Sequence, residues 1–159
     1  VVWVFPEKDE ARRIETVLGR LAAQQGLTLR DGRVLNWPSD GEDPWTRRIY
    51  SVPLTDALDE IVWGLMLGAA LYGDAPLPKL PEPKLPGPLV AIGMDDDALA
   101  QLRDALAPGC SGLLVLADGA HLRLLGEAFA PETPTVRVSI PDDVPAAPRD
   151  HVRRKGPNR

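Results

Sequence analysis

An α+β domain of ferredoxin-like type is what this sequence predicts, and three observations carry the prediction. Along residues 1–140, short apolar runs of strand length alternate with longer stripes of 3.6-residue period. Turn and cap signals punctuate that alternation at Gly26, Asp40-Gly41, Asp95–Asp97 and Pro108-Gly109. One segment interrupts it: Asp56–Gly73, uncharged from Ile61 to Tyr72 and followed by a proline ladder from Pro76 to Pro88. In order, the elements give β-α-β-β, a helical insert, then α-β-α-β. The ferredoxin-like split arrangement that this implies is a mostly antiparallel sheet with helices on one face. The apolar insert, or a second copy of the chain, then covers the other face.

Val1–Phe5 is continuously apolar, as a central strand buried on both faces should be, and Pro6 ends it. Glu7–Gln25 places Ala11, Ile14, Leu18 and Leu21 on one helical stripe with Val17 beside it. Its acids Glu7, Asp9 and Glu10 stand where the helix dipole favours them, and Gly26 supplies a C-cap. Arg33–Trp37 and Arg47–Val52 read as a hairpin around the polar loop 38–44, with Trp37 and Trp45 placed to pack across it. After the insert, acids at Asp95–Asp97 open a helix to Leu106 carrying Leu99 and Leu102 inward. Gly112–Ala117 is a buried strand, Ala120–Phe129 a helix with Leu122, Leu125 and Phe129 inward, and Thr135–Ile140 a strand wet on one face. Residues 1–140 thus form one domain, with an insert over 56–73 and a strap over 76–88. No periodicity continues past Pro141, which makes 141–159 an extended tail.

Composition bounds the reading further. Seventeen prolines in 159 residues exceed the roughly eight expected at ordinary usage, and they cluster in the ladder and after Pro131. One cysteine, Cys110, excludes an intrachain disulfide and gives no argument for an oxidising compartment, so a cytoplasmic location is expected. The chain opens on Val1 within a strand-like run, without initiator methionine or signal peptide, the pattern of a chain with residues upstream. The net charge of −5 is uneven: Arg149, Arg153, Arg154, Lys155 and Arg159 oppose only Asp150 in the last stretch. An acidic body repels nucleic acid, so any such contact would run through the tail alone.

Residues Val1–Val4, Ala11–Leu21, Gly64–Gly73, Asp95–Leu106, Pro108-Gly109, Ser111 and Leu113–Leu116 carry a resemblance to a known family. The chain resembles the bacterial membrane-associated family of unknown function numbered twelve sixty-nine among domains of unknown function. Family members similarly join a strand–helix–strand–strand half to a Gly-rich apolar segment, then an acid-capped helix, a strand and a last helix–strand pair. The resemblance implies that fold and a membrane-associated setting on the cytoplasmic face; it implies no catalytic residue. This chain departs from the pattern where it matters, since Ile61–Tyr72 is twelve residues and a spanning helix needs about twenty.

Gly64 and Gly68, four apart and extended by Gly73, form a small-residue face that lets another helix approach closely. Trp63 and Tyr72 bracket the segment, with Leu67 between them, and would also suit an interfacial anchor. The alternative for the glycines is close packing of the insert on its own sheet. The ladder repeats Pro-Lys-Leu-Pro, which favours extended polyproline II and a reach of roughly 40 Å, a strap across the sheet or a neighbour. Cys110 precedes a strand and His121 follows it, so the pair falls at opposite ends and lacks the geometry of a nucleophile and its base. Asp95–Asp97 reads as capping, because no EF-hand spacing or histidine partner accompanies it. Phosphate-loop, dinucleotide, nucleophile-elbow and zinc-protease motifs are all absent.

The expectation is therefore a non-enzymatic accessory subunit, with no catalytic, cofactor or metal residues. It would associate with copies of itself or a larger assembly through Trp63, Gly64, Leu67, Gly68 and Tyr72, and dock Arg153, Arg154 and Lys155 on an acidic surface. One alternative is a peripheral protein resting Trp63–Tyr72 on a membrane surface. Another is a small-molecule-binding or enzymatic α+β domain with a pocket between sheet and insert.

Overall fold

Every position of Val2–Phe5 is apolar because both of its faces are covered. The computed structural model describes residues 1–56, 60–72, 89, 93–130, 132 and 135–137. Within them the order is β1 (Val2–Phe5), α1 (Glu10–Gln25), β2 (Asp31–Asn36), β3 (Trp45–Arg48), α2 (Glu60–Tyr72), α3 (Asp96–Ala105), β4 (Ser111–Leu116) and α4 (Gly119–Ala128). The four strands form one antiparallel sheet in the order β1-β4-β2-β3.

β4 is the centre of the fold, lying between β1 and β2, with Leu114 opposite both Val2 and Arg33. A split β-α-β unit results: β1 and β2 run parallel, joined by α1, with β4 between them. On the other side of β1, Val2 and Val136 exchange backbone hydrogen bonds of 2.8 and 3.1 Å. The backbone thus places Val136 in the position of a fifth strand; the remainder of the expected strand, 138–140, lies outside the described residues. β1, α1, β2, β4, α4 and this bridge make the ferredoxin-like frame. The expectation had used β3 and the helix after Asp95 as two of its six members. In the structure both belong to the segment between β2 and β4, and β3 is an added edge strand, which is why the order is not that of a plain ferredoxin-like sheet.

Two layers of side chains fill the space on either side. Trp3, Phe5, Val34, Leu113 and Val115 pack under α1 and α4. Val2, Leu35 and Leu114 face the opposite way, against α2 and α3. The apolar insert is thus the cover that the second sheet face requires. Each fully buried leucine, Leu18, Leu102, Leu113 and Leu125 among them, contributes roughly 1.5–3 kcal/mol of transfer free energy.

Caps fix where the helices begin and end. α1 stops at Gly26, whose φ of 66° is left-handed and costs glycine nothing. At its start Asp9 makes no side-chain cap; the buried Ser111 on β4 does that work instead. Its hydroxyl accepts from Ala11 N–H at 3.1 Å and donates to the Glu7 carbonyl at 2.6 Å. Asp95 caps α3 by accepting from Ala98 N–H at 2.7 Å, as the acidic run predicts. Asp118 caps α4 through His121 N–H at 3.0 Å. On the α1 side, Arg47 of β3 holds the buried Glu15 with both guanidinium nitrogens, a contact that raises the arginine's pKa above its ordinary value.

Candidate interaction surface

α2 carries no charge from Ile61 to Tyr72, so composition does not say which side faces the sheet. The structure resolves this by a stripe: Trp63, Met66, Leu67 and Ala70 are buried against the sheet and α3. Trp63 anchors the helix. Its indole N–H donates to Asp31 Oδ2 at 2.7 Å, and the Arg33 guanidinium lies 5.7 Å from the centre of its ring. Asp31 has no exposed surface and accepts a second bond, from Gly32 N–H at 2.8 Å. Asp31, Arg33 and Leu35 project to the same side of β2 because strand side chains alternate, which aligns acid, cation and apolar contact beneath α2. At the far end of the helix Arg103 of α3 donates to the Ala69 carbonyl at 3.1 Å. That carbonyl is among the last four of α2, which lack partners within the helix, and a cation there opposes the helix dipole favourably.

The other side of α2 presents Gly64, Gly68 and Tyr72, spaced four apart. Tyr72 is 52% exposed and Gly64 is exposed, while Leu65, Gly68, Ala69 and Leu71 are half-buried. A methyl group added at Gly64 or Gly68 would meet none of the described residues within 4 Å. Glycine is therefore not required there by contacts of the helix with its own sheet, although each one costs a helix about 1 kcal/mol relative to alanine.

The residues singled out in the sequence divide accordingly. Trp63 and Leu67 are core residues beneath the helix, so they are not part of an outward contact surface. Gly64, Gly68 and Tyr72 share the outer face. Gly73, the proline ladder 76–88, and Arg153, Arg154 and Lys155 in the tail 141–159 lie outside the described residues. Sequence reasoning started β2 at Arg33 and gave Asp31 and Arg33 no role, because no local pattern links them to Trp63, thirty or more positions away. Gly32 is inside β2, where an added Cβ would fall 2.6 Å from Ile49 Cδ1.

Cys110 is buried beside the start of β4, and burial pushes its thiol pKa up, away from the reactive thiolate. His121, beyond the other end of β4, contacts Asp118 through Nδ1 at 3.0 Å. The two therefore sit apart, as their positions around the strand imply. Asp96 and Asp97 occupy the first turn of α3, and no cluster of potential metal ligands occurs among the described residues. Among those residues no helix is long and apolar enough to cross a membrane. No family model, curated protein or solved structure matches the chain.

Proposed function

We propose that this protein is a non-enzymatic accessory subunit of the cytoplasm, acting by association of the outer face of α2 with another protein surface. One observation carries the reading: Gly64 and Gly68 leave an uncharged strip on α2 where an added Cβ would meet none of the described residues. Close approach of a second apolar surface would fill that strip and cover Tyr72. The proline ladder and the basic tail fit the same role as further contacts, the strap lying along a neighbour and Arg153, Arg154 and Lys155 meeting an acidic surface. The buried state of Cys110 and its separation from His121 favour association over covalent catalysis.

Because an added Cβ meets none of the described residues at either glycine, Gly64→Ile and Gly68→Ile test association at this strip. The native mass of the protein from its source, measured by light scattering after size exclusion, should exceed the 17.2 kDa of one chain and fall in either variant. The melting temperature of the isolated chain should not fall, since glycine is the poorer helix former. A wild-type mass of one chain, or a larger mass indifferent to both substitutions, would overturn the proposal.

A further inference from the structure

Three Asp-Gly pairs occur in the chain, Asp31-Gly32, Asp40-Gly41 and Asp118-Gly119, and the fold gives them three different settings. Such a pair is chemically self-reactive. The nitrogen of the glycine attacks Cγ of the aspartate, the new N–Cγ bond closes a five-membered succinimide, and a carboxyl oxygen leaves as water. Closure requires Cβ and that nitrogen to eclipse about the Cα–C bond, so the backbone must be free to turn at ψ. Glycine permits the turn most readily, having no Cβ to obstruct it.

Asp31 is held against that turn. It lies within β2 and has no exposed surface, and its carboxylate accepts from Trp63 Nε1–H at 2.7 Å and from Gly32 N–H at 2.8 Å. Rotation there would pull β2 out of the ladder it shares with β4. Asp118 is exposed but engaged. At ψ 167° its carboxylate caps α4 through His121 N–H at 3.0 Å, and Gly119 is the first residue of that helix. Turning the backbone at Asp118 would undo the cap and the first turn of α4.

Asp40-Gly41 has neither restraint. Both residues are exposed in the loop between β2 and β3, and among the described residues the Asp40 carboxylate accepts only a long contact of 3.4 Å from Glu42 N–H. Gly41 stands at φ 88°, and an added Cβ there would meet none of the described residues within 4 Å. We propose that Asp40-Gly41 is a modification site, where the folded chain converts itself through the succinimide to isoaspartate while the other two pairs stay intact. Water opens the ring in one of two ways. Cleaving the N–Cγ bond restores aspartate. Cleaving the bond from that nitrogen to the backbone carbonyl carbon leaves the chain running through Cγ, with a free α-carboxylate. The product keeps mass and charge and adds one carbon to the backbone between Asn36 and Trp45, the pair from which β3 starts. That carbon falls in an exposed loop, outside both layers of core side chains. The altered chain therefore stays folded and presents its α-carboxylate to a carboxyl methyltransferase, an enzyme that draws its methyl group from S-adenosylmethionine.

Ageing the full chain for weeks near neutral pH, then mapping its peptides by electron-transfer fragmentation, tests this, because that fragmentation tells the two backbones apart at equal mass. Isoaspartate should accumulate at Asp40 about tenfold or more faster than at Asp31 or Asp118, whose reaction waits on local opening of the fold. In urea strong enough to unfold the chain, the three rates should converge to within about threefold, since no local structure then separates them. A protein-isoaspartate methyltransferase supplied with labelled S-adenosylmethionine gives a second readout on the aged, folded chain. Its methyl transfer should fall about tenfold in Asp40→Glu, whose longer side chain must close a slower six-membered ring. No isoaspartate at Asp40, equal rates at the three pairs in the folded chain, or methyl transfer unchanged in Asp40→Glu would overturn the proposal. An Asp40 excess that persists in urea would trace the reaction to local sequence alone and overturn it as well.

Discussion

Replacing Trp63 with phenylalanine probes the contact that fixes α2 to the sheet. The substitution keeps an aromatic ring in the site and removes the N–H that donates to Asp31 Oδ2 at 2.7 Å. Asp31 has no exposed surface, so water cannot take over as donor. A hydrogen bond to a charged group contributes about 1.5–3 kcal/mol, and the smaller ring forfeits about 1 kcal/mol more in packing. The expected loss is about 2.5–4 kcal/mol, a fall in melting temperature of roughly 5–15 °C for a chain of this size. Urea titration followed by far-ultraviolet circular dichroism measures it without relying on the tryptophan signal that the mutation alters. A double-mutant cycle with Asp31→Ala isolates the pair, and a coupling of about 1.5 kcal/mol or more is expected. A loss under about 0.5 kcal/mol, or a coupling near zero, would show that the helix is held by its apolar stripe alone.

Two further outcomes follow from the caps. Ser111→Ala removes both hydroxyl bonds that tie the start of α1 to β4 and should cost about 1–3 kcal/mol in the same titration; an unchanged midpoint would refute the capping role. Asp118 has its carboxyl pKa lowered below the ordinary 3.8, first of all by the His121 N–H. Its cap is therefore fully present above that ordinary value and is lost as pH falls through the lowered one. Asp118→Asn keeps a capping oxygen without the titration, so the acid limb of melting temperature against pH should flatten in the variant; identical acid limbs would count against it.

The parts of this fold legible in the sequence are those set by local chemistry. α1 follows from its Ala11–Leu21 stripe and Gly26, and α3 from the acids that cap it, because a helix closes its hydrogen bonds within itself. Strand order is set between distant residues, and no local pattern told β4 to enter between β1 and β2. β3 was expected at Arg47–Val52 but runs Trp45–Arg48, since Ile49 and Val52 reach the core without continuing the regular strand. On α2, uniform hydrophobicity hid the inner face. Trp63 resembled an outward anchor by composition, and only the buried Asp31 explains why it turns inward. Gly64 and Gly68 fall on the outer face, and the room for a Cβ beside them among the described residues could be learned only from the packing.

The position of β4 also dictates an order of events as the chain is made. Ala11 and Ser111 stand one hundred positions apart, yet α1 is seated by that serine and both β1 and β2 complete their pairing on the strand that carries it. While the polypeptide is emerging from a ribosome, β1 and β2 lack the strand that each pairs with. Their edges stay without it until the segment bearing α2 and α3 has also been synthesised. Long loops of this kind close slowly, and unpaired edges are the species that aggregate. Recombinant yield should therefore respond more to slowed translation or added chaperone than to any gain in native stability.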